Sequence, residues 1–154
     1  MPTIQSRLDD LGIALPEPVA PLAAYVGFVR HGDLVYVSGQ VPVEDGEPIM
    51  TGLLGGEVSL EDGQRCARLC AINLLSQLRV ACEGDLERTV RCVRLGGFVA
   101  ATPSFTQHPQ VINGASELIG DVLGERGAHA RAAVGVASLP RGVPVEVEGL
   151  FAIR

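Results

Sequence analysis

The sequence predicts an α+β fold in which one β-sheet carries two helices packed on one face. Two long segments repeat their apolar residues at helical spacing, several shorter ones are β-rich, and the order along the chain is ββ-α-β-α-ββ. The length of 154 residues, with 47% hydrophobic and 19% charged side chains, suits one well-buried domain and is too short for two.

Ile4, Leu8 and Leu11 recur at helical spacing and Gly12 follows them, so residues 3–11 read as a short helix. Pro16, Pro18 and Pro21 then forbid regular structure and suggest an extended lead-in. Residues 24–30 and 34–38 are strand-like, joined by the compact turn signal His31-Gly32-Asp33. Residues 41–48 return to turn chemistry, and the glycine-rich stretch 52–56 reads as a surface loop.

Ser59-Leu60-Glu61-Asp62 resembles a capping box and opens a helix that should run to about Cys82 and stop at Gly84. Its stripe of Ala67, Cys70, Ala71, Leu74, Leu78 and Ala81 suits a helix lying on a sheet. Residues 89–101 form a long β-rich run in which Gly96-Gly97 suggests a bulge. Pro109 fits the first turn of a second helix that buries Val111, Ile112, Ala115, Leu118, Ile119 and Val122 and ends at Gly127. Residues 131–137 and 143–153 are the last strands, linked by Leu139-Pro140-Arg141-Gly142.

Composition narrows the chemistry. All twelve basic residues are arginine, which excludes Schiff-base lysines, a phosphate-loop lysine and pyridoxal attachment. A formal net charge of -6 argues against a protein built to coat nucleic acid, although a local basic pocket is permitted. The N-terminus lacks a signal-peptide profile and no apolar run approaches the roughly 18 residues of a membrane span, so a soluble, cytoplasmic protein is expected. Cys66, Cys70, Cys82 and Cys92 are too few and too clustered for a disulfide scaffold; Cys66 and Cys70 could face the same way, but no second ligand pair lies at zinc spacing. His31, His108 and His129 stand alone. A serine-hydrolase elbow and a dinucleotide fingerprint are missing, so neither metal nor cofactor is expected.

The informative segment is the C-terminal one. Arg131 opens a strand of small residues and on alternation shares a face with Ala133, Gly135 and Ala137, which leave space above the sheet. A guanidinium beside such space suits an incoming carboxylate, whose two oxygens its planar fork can bind. The competing reading is a structural salt bridge to Glu146, Glu148 or Asp85. Glu146 and Glu148 share one face of the last strand, opposite Val145, Val147 and Phe151, and a solvated face would explain them equally. If the last two strands form a hairpin about Pro140–Arg141, Arg131 pairs with residues near 150–152, and Glu146 lies roughly 16 Å further along. A site using both residues must then be completed by another strand or another subunit.

Four separated elements resemble one family. The run Arg131-Ala132-Ala133-Val134, with Ala137, Leu139-Pro140 and Val145-Glu146-Val147-Glu148, is similar to the C-terminal signature of the Rid family (reactive intermediate deaminases, also called YjgF-like or endoribonuclease L-PSP proteins). Tyr25 and Ser38-Gly39-Gln40-Val41-Pro42 resemble its N-terminal elements. The resemblance implies a chorismate-mutase-like domain over residues 22–154, preceded by an N-terminal extension at 1–21. It also implies a mixed sheet, a homotrimer and ligand clefts between subunits. By motif, Arg131 takes the role of the arginine that clamps the carboxylate of a 2-imino or 2-enamino acid, and Glu146 that of the glutamate acting on water. Tyr25 would line the cleft, Gly39 would offer a backbone contact, Asn113 a polar group on the second helix, and Ala133 stands where active members often carry cysteine or serine. His129 stands where proline is common, and the segment around 106–110 is longer than in compact members, the pattern of a divergent subgroup. The implied function is a deaminase releasing ammonia and a 2-oxo acid from a small-molecule carboxylate. The alternatives are a non-catalytic trimer that binds small carboxylates or regulates, and third an endoribonuclease.

Overall fold

A computed structural model describes residues 1–21 and 23–154; position 22, the expected start of the main domain, lies outside them. Among the described residues the helices are Ile4–Asp10 (α1), Leu60–Ala81 (α2) and His108–Leu123 (α3). The strands are Phe28–His31 (β1), Leu34–Gln40 (β2), Val43–Glu44 (β3), Glu47–Pro48 (β4), Thr89–Ala100 (β5), Ala130–Val136 (β6) and Val145–Ile153 (β7). The main sheet runs β1-β2-β7-β5-β6, with only β5 and β6 parallel, so the fold is the expected mixed α+β arrangement.

Local chemistry explains most boundaries. The Thr3 and Ser59 hydroxyls cap α1 and α2 by accepting from the backbone N–H of Ser6 and Asp62. Helix α2 stops at Ala81, followed by Glu83 and Gly84 in left-handed backbone. Pro109 sits in the first turn of α3, and every residue of both expected helical stripes is buried. His31 pairs with Leu34, leaving Gly32-Asp33 as the two-residue loop, with Gly32 at φ +61°.

Several expectations need correction. The first strand begins at Phe28, not residue 24, because β2 bulges between Val37 and Gln40 and the chain before Phe28 leaves the sheet there. Residues 41–48 contain the small β3–β4 hairpin around Asp45-Gly46, both in left-handed backbone. The stretch 52–56 is no mere surface loop: Leu54 is fully buried and bridges to Val58 and Ala101. In β5 the register shifts lie between Thr89 and Arg91 and between Cys92 and Arg94, while Gly96-Gly97 is regular. Gly97 is small for a different reason: an added Cβ would lie 2.5 Å from Ile112 Cγ1, so α3 rests on it.

The main correction concerns β6 and β7, which are not partners. The β5–α3–β6 unit returns the chain parallel to β5 at the sheet edge, and β7 inserts between β5 and β2, bonding to both. The central position satisfies backbone groups on both sides of β7. A one-turn 3-10 helix at Pro140–Gly142, with Arg141 and Gly142 at positive φ, carries the chain to that slot.

The N-terminal segment is tied to the domain. Ile4 and Leu8 join the core, Arg79 donates to the carbonyls of Leu15 and Pro16, and Gln77 Nε2 donates to Val19 O. All four cysteines are buried and free, and burial pushes the Cys66 thiol to about 11 and Cys92 to about 12. The native protein should therefore react with a thiol-specific disulfide reagent only as it unfolds; rapid labelling of any cysteine under native conditions would contradict this burial.

Helices α2 and α3 touch most closely at Gly114, where an added Cβ would lie 2.1 Å from Gln64 O. The obstacle is backbone, so it cannot swing away. Gly114→Ala should cost about 1–3 kcal/mol through overpacking, read as a lowered midpoint in urea; an unchanged midpoint would refute this close contact.

Candidate active site

Two clusters contain the expected site residues. The first is built around Arg131. On β6 it registers with Leu95 of β5, which is buried beneath the helices, so the guanidinium rises on the helix-covered face of the sheet. Ala133 shares that face and packs at the edge of the core. The His108 side chain of α3 takes part of the expected space, since an added Cβ on Gly135 would meet its Nε2 at 2.5 Å. A cleft of about 350 Å³ lined by His108, Gly135 and Ala137 remains beside it.

Helix α3 holds the arginine. Arg131 Nη1 donates to Asn113 Oδ1 at 2.8 Å and to Ser116 Oγ at 3.1 Å, and Nη2 donates to Pro109 O at 3.4 Å. Asn113 is fixed by its neighbours, since Ile112 sits on Gly97 and Gly114 abuts Gln64. Every one of these acceptors is neutral. Arg65, Arg88, Arg94, Arg126 and Arg141 pair with carboxylates, but among the described residues Arg131 pairs with none. The salt-bridge reading fails for each candidate. Glu148 faces Arg94 at 3.4 Å, Asp85 caps a 3-10 turn by accepting from Glu87 N, and Glu146 points to the other side of the sheet.

The second cluster contains Glu146, Gly39 and Tyr25. They line a cleft of about 300 Å³ with Val19, Pro21 and Pro140. The bulge in β2 brings Gly39 to the Glu146 carboxyl, and an added Cβ there would lie 2.9 Å from Oε1. Tyr25 is half exposed at the rim. Burial first, and then the neighbouring Glu148 carboxylate, raise the Glu146 carboxyl above its ordinary value. Such a group takes up and releases a proton nearer neutral pH than a free glutamate.

The two clusters do not meet within one chain. Val145, Val147 and Phe151 are buried on the helix side, so Glu146 projects from the opposite face to Arg131. The hairpin register expected from sequence is absent, yet the separation it suggested is present for a stronger reason: the sheet lies between them.

Sequence reasoning missed Ser116. It lies three residues after Asn113 and so on the same helical face, a polar pair interrupting an apolar helix, which is the signal that could have found it. Among the described residues, no group of three or more His, Cys, Asp or Glu side chains is placed to hold a metal ion, and no helix is long and apolar enough to cross a membrane.

Known proteins resemble this chain in sequence and fold. Residues 5–147 match the family model described as "YjgF/chorismate_mutase-like, putative endoribonuclease". Protein TCP17 of Trypanosoma cruzi is 48% identical over 152 residues, covering 98% of this chain and 94% of the relative. The crystal structure of Atu1372 from Agrobacterium tumefaciens, a protein of unknown function, is 49% identical with a TM-score of 0.91, covering 99% of this chain and 94% of that one. TdcF of E. coli, solved with bound serine, is 25% identical with a TM-score of 0.65, covering 92% of this chain and 96% of that one. With the family model spanning most of the chain, the protein belongs to the YjgF-like, or Rid, family.

Proposed function

We propose that this protein is a deaminase that hydrolyses 2-imino or 2-enamino acids to 2-oxo acids and ammonia in a cleft between copies of the chain. The observation that carries the reading is the Arg131 guanidinium, half-buried on neutral acceptors and paired with no carboxylate among the described residues. A cation placed so is available to an external acid, through charge-assisted bonds worth roughly 1.5–3 kcal/mol each. The serine bound to TdcF, itself a small carboxylate, supports that ligand class.

Arg131 would hold the substrate carboxylate, with Asn113 and Ala133 beside it. Glu146 of a second copy, flanked there by Tyr25 and Gly39, would face the imine carbon. That carbon is electrophilic once its nitrogen is protonated, so an oriented water suffices. The Glu146 carboxylate takes a proton from the water as the C–O bond forms. It returns that proton to nitrogen and then accepts the hydroxyl proton as the C–N bond breaks and the C=O bond forms, releasing ammonia and the 2-oxo acid. A homotrimer, as the family resemblance implies, would supply three such seams. The chemistry needs neither metal nor cofactor, and the cytoplasm, where amino-acid metabolism produces imines, suits it.

Ammonia release from enzymatically generated imino acids tests the activity. Arg131→Ala should lower kcat/KM by at least ~100-fold, the loss of two charge-assisted bonds; wild type no faster than this variant would remove the reading, and carboxylate binding without turnover would leave a binding protein. The raised Glu146 group sets the acid limb of the pH–rate profile, because only its ionised form accepts a proton. Glu148→Gln removes the second cause of that elevation and should move the limb to lower pH; a shift upward or none would contradict the assignment.

Linkage gives an independent check. A carboxyl whose folded value is raised contributes stability below its unfolded value and loses it as pH rises through the folded one. Glu146→Gln should therefore raise Tm at neutral pH while suppressing turnover; a lowered Tm would show that the carboxylate is held by favourable contacts.

A further inference from the structure

The hydrogen bonds that hold Arg131 continue past helix α3. His129 lies just before β6, with Nδ1 2.6 Å from Gly127 O and Nε2 2.9 Å from Ser116 Oγ. A carbonyl oxygen only accepts, so in the neutral ring Nδ1 carries the proton and Nε2 presents its lone pair. Ser116 then donates its hydroxyl hydrogen to His129, and its oxygen accepts from Arg131 Nη1 at 3.1 Å. The result is a one-way chain from Arg131 through Ser116 and His129 to the Gly127 carbonyl, each bond polarising the next.

A helical serine has an easier alternative. It can donate back to the carbonyl four residues earlier, as Ser76 Oγ does to Ile72 O at 3.1 Å on α2. His129 draws Ser116 toward β6 instead. With Asn113 and Ser116 both engaged, Nη1 is committed to the protein, and Nη2 spends one hydrogen on Pro109 O. Nε–H makes no hydrogen bond among the described residues, so Nε–H and the second Nη2–H remain: the parallel pair that matches the two oxygens of a carboxylate.

We propose that Ser116 and His129 are positioning residues for Arg131: His129 orients the Ser116 hydroxyl, which ties down Nη1 and turns the Nε–Nη2 edge of the guanidinium toward an incoming 2-oxo or 2-imino acid. This rests on Arg131 being the carboxylate anchor. The pair touches no reacting atom and acts through the arginine, so it governs binding and not the chemical step.

Pyruvate serves as the probe, with calorimetric Kd values for wild type, Arg131→Ala, Ser116→Ala, Ser116→Thr, His129→Leu and the double variant Ser116→Ala/His129→Leu. Each single loss should weaken pyruvate about tenfold, the value of one hydrogen bond to a charged group. The double variant should fall little further because the two act in series, and Ser116→Thr, which keeps the hydroxyl, should bind as wild type does. In turnover the losses should appear in KM with kcat nearly unchanged. Nitrogen-15 NMR of the full-length protein should show His129 protonated at Nδ1, with an Nε2 resonance that pyruvate shifts in wild type but not in Ser116→Ala. If pyruvate binding needs Arg131 but Ser116→Ala and His129→Leu bind like wild type, the positioning role is overturned and the anchor stands. If Arg131→Ala binds pyruvate like wild type, the anchor falls and this role with it. A His129 proton on Nε2 overturns the chain whatever the binding data.

Discussion

A guanidinium half-buried against neutral oxygens is the constraint around which this molecule is arranged. Withdrawing a permanent charge from water is costly unless it is hydrogen-bonded, and Asn113, Ser116 and Pro109 engage three of Arg131's donor hydrogens without neutralising it. That geometry depends on where α3 lies. Glycines let the helix come close: Gly97 under Ile112, Gly135 under His108, and Gly114 against Gln64 of α2. At Gly114 the obstacle is backbone, so a methyl group there would lift the helix or tilt it, and with it the acceptors that hold the arginine. These glycines thus seat a helix, and the helix in turn is a mount for one side chain.

Sheet geometry then limits what one chain can do. Arg131 stands on the helix-covered face and Glu146 on the other, each with its own surroundings. No rotamer brings them to a single small molecule through the sheet. In the proposed mechanism this division of labour is the reason a second copy is needed, and it assigns binding to one protomer and proton transfer to its neighbour. The order of strands explains the division: β6 lies at an edge, while β7, carrying Glu146, lies near the centre between β2 and β5.

Much of the fold was legible because its signals are local. Ser59 announced α2, Pro109 announced α3, and the apolar stripes of both named the buried residues. What escaped was set by distant partners. The β6–β7 neighbourhood is not a local property: a short Pro-Gly link between two strands looks like a hairpin, while the strand–helix–strand order before it favours a parallel return. The Gly96-Gly97 pair suggested a bulge when its role is to seat Ile112, a contact across 15 positions of chain that no local rule anticipates. Tyr25, Gly39 and Glu146 gather at one cleft, and Asn113, Ala133 and Arg131 gather on the opposite face of the sheet. Ser116 and His129 were invisible singly; their significance appears only when a helix and a strand end bring them within 2.9 Å.

The most direct test is a crystal structure grown with a 2-oxo acid. The account predicts the ligand carboxylate against the Nε–Nη2 edge of Arg131 and its carbonyl carbon facing Glu146 from a neighbouring copy. An Arg131 side chain neutralised by a protein carboxylate of that neighbour, with the ligand bound elsewhere, would contradict it.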